Sequence, residues 1–177
     1  MRACLKSRVI LLTGEGKGKT TAALGMILRA AGHGMPAFLI QFIKCAKATG
    51  ELKALARLPL VKTVQVGRGF APRPDNPLFL KHRRAAENGL RLAQQALQSG
   101  RYRMLVLDEV CYAISLGLLK EAEVLRLVRQ AGPGQCVILT GRDAGKRLFR
   151  AADTVTEMRC ARHGLQRGIQ AQAGVEY

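Results

Sequence analysis

The chain has 177 residues, 48% of them hydrophobic, enough to bury one sizeable core without staples, so a single domain spanning 1–177 is expected. Its five cysteines (Cys4, Cys45, Cys111, Cys136 and Cys160) are odd in number, far apart and without a C-x-x-C pair, which argues against a disulfide framework or zinc site and for buried thiols in a reducing cytoplasm. The net charge of +17 is compatible with nucleic acid, a polyanionic ligand or a solvated basic surface, but Lys and Arg are scattered and aromatics are few, unlike a base-stacking platform.

The basic start MRACLKSR leads into the short apolar run Val9–Thr13 rather than a signal-peptide core, and no stretch reaches the ~18 apolar residues of a membrane helix. Val9–Thr13 has the profile of a strand buried on both faces. It ends at the glycine-rich TGEGKGKTTAALG, Thr13 to Gly25. A helix is expected from Lys19, with Ala22, Ala23, Met26, Ile27 and Ala30 at helical spacing and Gly32 as its stop. Ala37–Phe42 reads as a second strand and Val61–Val66 as a third. Asn76 and Pro77 form a cap and first-turn pair opening a long helix that shows Ala86, Leu90, Ala93 and Leu97 on one face and stops at Gly100. Met104–Glu109 is an apolar strand finishing in two carboxylates. A helix over about Lys120–Ala131, the strand Cys136–Thr140 and a further strand Thr154–Arg159 complete the chain. Strands alternating with helices imply a mostly parallel sheet between helical layers, an α/β fold.

The glycine stretch fits the phosphate-loop pattern G-x-x-x-x-G-K-[ST] at Gly18, Lys19 and Thr20, but its opening position holds Thr13, and the first glycine, Gly14, comes one place late. In such loops backbone N–H groups turn onto phosphate oxygens and the helix N-terminus adds partial positive charge. Gly14, Glu15, Gly16, Lys17, Gly18, Lys19, Thr20 and Thr21 are therefore candidate nucleotide-binding residues, with Lys19 neutralising phosphate and Thr20 offering a hydroxyl to Mg²⁺. Asp108 and Glu109, ending a strand, are candidate metal residues, one direct and one through water, because ligands lie beyond the carboxyl ends of parallel strands. Arg142, just past Cys136–Thr140, and Arg29, on the loop helix, are candidate phosphate contacts. His33, His82 and His163 have no ligand spacing and are read as structural. Nothing announces a general base, which suits a nucleophile with no proton to lose better than a kinase or an ATPase.

These residues resemble the phosphate-loop ATP:corrinoid adenosyltransferases over nearly the whole chain: TGEGKGKTTAALG followed by RAAGHG, then QFIK (Gln41 to Lys44), Gly50–Glu51, GRGF (Gly67 to Phe70), LVLDEVCYAISLGLL, ILTGR, ADTVTEM and the ending GIQAQAGVEY. The resemblance implies a phosphate-loop NTPase-like fold of the recombinase type, in which the shifted loop is the rule and ATP runs reversed, presenting C5′ to the corrinoid. It implies attack of a Co(I) corrinoid on C5′ with release of inorganic triphosphate, Lys19 and Thr20 as catalytic residues, and Phe70 as a catalytic, corrinoid-binding residue. Mg²⁺, ATP and corrinoid are the implied ligands, a flavoprotein-type electron donor and a second copy of the chain the implied partners, with no membrane and no nucleic acid. Departures are Glu15 where members commonly have asparagine, Pro72 where better-known members have the tryptophan of an aromatic pair, and a nearly absent N-terminal extension, so that a more open site is expected. A nucleic-acid-coupled ATPase and a small-molecule kinase are the alternatives.

Overall fold

Six strands, all parallel, are hydrogen-bonded in the order β3-β2-β4-β5-β1-β6 in the computed structural model, which describes residues 6–45 and 49–175. They are β1 (Arg8–Thr13), β2 (Ala37–Gln41), β3 (Val61–Gln65), β4 (Met104–Asp108), β5 (Cys136–Thr140) and β6 (Thr154–Glu157). The helices are α1 (Lys19–Gly32), α2 (Gly50–Leu55), α3 (Phe79–Gln98), α4 (Val110–Ser115), α5 (Glu121–Val128) and α6 (Lys146–Ala151). This is the α/β architecture expected of a phosphate-loop protein, with β5 inserted between the loop strand β1 and the acid-bearing strand β4.

Side chains alternate across a strand, so each central strand feeds two cores. Leu105 and Leu107 of β4 join a core covered by α3, α4, α5 and α6, whereas Val106 joins Ala23 and Ile27 of α1 and Leu55 of α2 on the other face. The continuous apolar runs of β2, β4 and β5 follow from this two-sided burial. At the rims the demand relaxes: β3 is half-buried and all four residues of β6 are exposed.

The expected elements all form, with shifted ends. β2, β3 and β4 each stop one residue early, at Gln41, Gln65 and Asp108, and β6 stops at Glu157 instead of Arg159. α3 begins at Phe79: Asn76 Oδ1 accepts from the Leu78 N–H at 2.9 Å and its carbonyl accepts from Phe79 N at 2.9 Å, so the cap serves a tight turn before the α-helical bonding starts. α5 is limited to Glu121–Val128. Sequence periodicity missed α2, α4 and α6, each of six residues and too short to show two turns of a 3.6-residue repeat. Among the described residues no helix is long and apolar enough to cross a membrane. Cys111 is buried and Cys136 half-buried, but Cys45 and Cys160 are exposed, and Cys4 lies outside the described residues.

Candidate functional site

The late first glycine has a local cause. Thr13 is still in the ladder, paired with Glu157, and its carbonyl accepts from Met158 N at 2.8 Å. The chain then turns at Gly14 with φ 93°, and a Cβ there would lie 2.5 Å from the Met158 carbonyl oxygen. Gly16 donates its N–H to that same oxygen at 2.6 Å, and a Cβ on it would lie 2.7 Å from Arg159 O. The residues just past β6 thus brace the outside of the loop, and the glycines fall where that brace passes.

Inside the loop, Lys19 is 7% exposed and donates through Nζ to Gly14 O at 2.6 Å and Gly16 O at 2.7 Å. Burial draws its pKa below the ordinary lysine value; Glu109 opposes this, Arg142 adds to it and Glu15 opposes it. At the loop mouth Glu15 meets Arg142 at 3.3 Å, both side chains exposed. The carboxylate that would repel phosphate is turned aside onto a cation, and Arg142 is brought to the loop as expected. Arg29 is not: it sits in the last turn of α1, roughly 15 Å from Lys19 along the axis at 1.5 Å per residue, too far to share a phosphate.

Beneath the loop Asp108 is fully buried and accepts three hydrogen bonds. Oδ1 takes Thr20 Oγ1 and Thr140 Oγ1, each at 2.8 Å, and Oδ2 takes Gln41 Nε2 at 3.0 Å. Gln41, also fully buried, accepts in turn from Gln65 Nε2 at 2.8 Å. Glu109 follows with φ 60°, a left-handed conformation that costs a non-glycine residue about 1–3 kcal/mol. Its N–H donates to Thr140 Oγ1 at 2.9 Å. Burial first, then the Asp108 charge, raises its pKa above the ordinary carboxylate value, against the pull of Lys19, Lys44 and Arg142. Thr20, Asp108 and Glu109 form an all-oxygen donor set suited to Mg²⁺. Among the described residues no group of three or more His, Cys, Asp or Glu could hold a metal, so a magnesium here would depend on phosphate oxygens as well.

Beside the loop a cavity of about 440 Å³ opens between α1 and α2, walled by Thr20, Thr21, Leu24, Glu51 and Ala54, with Val175 on its lining. Lys17 and Lys44 reach its rim, and Lys44 pairs with Glu51 at 3.1 Å. Beyond β3, Val66 and Gly67 donate to Gln41 O and Gly69 to Ile43 O, carrying Phe70 to this same edge of the sheet, 96% exposed. The histidines stand outside this constellation; His163 Nδ1 accepts from Leu165 N at the start of a short 3₁₀ turn. Sequence reasoning did not give roles to Thr140, Gln41, Gln65 or the Met158–Arg159 brace. A polar residue at the end of an apolar strand was the available signal for Thr140 and Gln41; Gln65 ends a mixed strand, VKTVQ, and had none.

Comparison with known proteins gives the family. A family model described as "ATP:corrinoid adenosyltransferase BtuR/CobO/CobP" matches residues 6–177. A protein of Sinorhizobium sp named corrinoid adenosyltransferase is 37% identical over 175 residues, covering 97% of this chain and 81% of that protein. A Pseudomonas aeruginosa protein of the same name is 38% identical over 170 residues (96% and 83%), and one from Escherichia coli K12 is 34% identical over 169 residues (96% and 85%). The match runs through the braced loop, the acid strand and the tail that returns to the cavity, and the chain belongs to the ATP:corrinoid adenosyltransferase family.

Proposed function

We propose that this chain, acting as one domain, transfers the 5′-deoxyadenosyl group of ATP to the Co(I) centre of a corrinoid and releases inorganic triphosphate. The observation that carries the reading is the phosphate loop that holds Lys19 beside the Thr20–Asp108 pair, in a chain of the corrinoid adenosyltransferase family. Co(I) attacks C5′, the C5′–O bond breaks, and the electron pair of that bond leaves on triphosphate while cobalt gives its own pair to the new Co–C bond. No proton moves. The need is to stabilise negative charge on the leaving group, for which oriented N–H donors and cations are suited. The backbone of Gly14 to Thr21 and Lys19 serve this, with Arg142 once it exchanges Glu15 for phosphate. Mg²⁺, held by the Thr20 hydroxyl with Glu109 and supported from behind by Asp108, would supply further neutralisation of triphosphate. Phe70 offers a bare apolar ring to the corrinoid at the same sheet edge.

Reduction to Co(I) calls for an outside electron donor, which we take to be a flavoprotein, in the cytoplasm. A homodimer is supported by the uncovered edge strand β6. The deciding experiment is an anaerobic assay with ATP, Mg²⁺ and chemically reduced cob(I)alamin, following the corrinoid spectrum and the phosphate product. Light-sensitive adenosylcobalamin with one triphosphate per turnover is expected, and Lys19→Ala should reduce the rate by about 10²–10³-fold. ADP as product with an unchanged corrinoid would overturn the reading.

A further inference from the structure

The amides of Gln41 and Gln65 are the part of this network that neither the phosphate loop nor the acid pair explains. A carboxylate only accepts, so Gln41 must turn its NH₂ to Asp108 Oδ2 and its carbonyl away; that carbonyl then requires a donor, which is the NH₂ of Gln65. The order is directional: Gln65 donates to Gln41, Gln41 to Asp108, and Asp108 accepts the Thr20 proton. Because that proton is committed to Asp108, the remaining lone pairs of Thr20 Oγ1 are free for a cation. Gln41 is fully buried, where an amide without partners is costly. Gln65 ends the chain half-buried in the wall of a second cavity of about 490 Å³, with Cys45 and Arg68, at the root of the segment that carries Phe70.

We propose that Gln41 and Gln65 are positioning residues for the metal: by holding Asp108 Oδ2 they keep Oδ1 aimed at Thr20, and so keep the Thr20 hydroxyl oriented to accept Mg²⁺ with the nucleotide. This rests on the nucleotide reading of the site. Supporting partners behind metal ligands commonly change affinity about 10–100-fold when removed. Methionine matches glutamine in length and keeps the packing while removing the donor and acceptor, which makes Gln41→Met the informative change.

The test is the rise in melting temperature of the whole protein with ATP, titrated with Mg²⁺ and compared with ATP in EDTA. Wild type is expected to gain stability from Mg²⁺ beyond that from ATP alone. Gln41→Met should need about tenfold more Mg²⁺ for half the gain, with the ATP–EDTA shift unchanged. Gln65→Met should move the midpoint less, and Gln65→Lys, which keeps a donor for the Gln41 carbonyl, should restore it. Wild-type Mg²⁺ midpoints in both methionine variants, with only the melting temperature of the free protein lowered, would reduce the amides to space-filling and overturn the proposal. If Gln41→Met does not fold, Gln65→Met at the cavity wall decides by the same criterion. No Mg²⁺ gain in wild type would instead overturn the metal reading of Thr20, Asp108 and Glu109, a separate failure.

Discussion

Asp108 and Glu15 are both carboxylates at the carboxyl edge of one sheet, and they are held in opposite ways. Asp108 is 0% exposed, with side-chain donors from α1, β2 and β5. Glu15 is exposed and meets Arg142, itself exposed, across 3.3 Å. In the first case water is gone, so every lone pair must be answered by protein and each lost partner is felt at full cost. In the second, water and salt screen the pair, and it is worth little to folding. The floor of the site is set by the fold, whereas the mouth, held by a solvent-screened pair, is left adjustable.

The sharpest break in this contrast is Asp108→Ala, which strands the Gln41 amide and the Thr20 and Thr140 hydroxyls. It should lower unfolding free energy by about 3 kcal/mol, measured by urea denaturation. The loop should separate from its own helix in the same way. Gly14→Ala sets a methyl against Met158 O at positive φ and should cost about 2 kcal/mol or more. Gly25→Ala, in α1 with open space around it, should instead add up to about 1 kcal/mol.

Cys111, just behind the floor, reports its dryness: burial, assisted by Glu109, pushes the thiol from the ordinary 9.0 to about 12. A folded value above the unfolded one means the contribution is complete below pH 9 and disappears as pH rises toward 12. By pH 10.5 wild type should lose about 2 kcal/mol relative to the pH dependence of Cys111→Ala, seen in unfolding midpoints. At the mouth the smallest effect is expected. Glu15→Gln should change stability by no more than about 0.5 kcal/mol. It should tighten ATP binding at low salt, with the gain fading as salt rises, checked by calorimetric titration.

Much of the floor could be read in the linear chain, because two of its parts are consecutive residues: GKGKTT opening a helix, and DE closing an apolar run. Arg142 was legible for the same reason, as the first charged residue beyond a strand end. Arg29 failed because sequence proximity to the loop is measured along a helix, and ten residues of helix are long. Glu15 was legible as a problem, a carboxylate in a phosphate loop, but its partner lies 127 positions away and nothing local announces it. Gln41 and Gln65 were each the next-to-last residue of an expected strand, and only pairing β2 between β3 and β4 made them a chain leading to Asp108.

The sequence by itself determined the order of the six strands and the three longer helices along the chain, the two-sided burial of the loop strand, the presence of a phosphate loop with its lysine and threonine, and the family. These depend on periodicity and on contiguous motifs, which are properties of neighbours in the chain. The tertiary structure alone decided where the glycines had to fall, which acid became buried, and what answered its lone pairs. The brace from Met158 and Arg159, the Thr140 bridge and the glutamine pair arrive from strands far apart in sequence. Hydrogen bonds inside a dry sheet edge are set by strand order and register, which no local stretch of residues specifies.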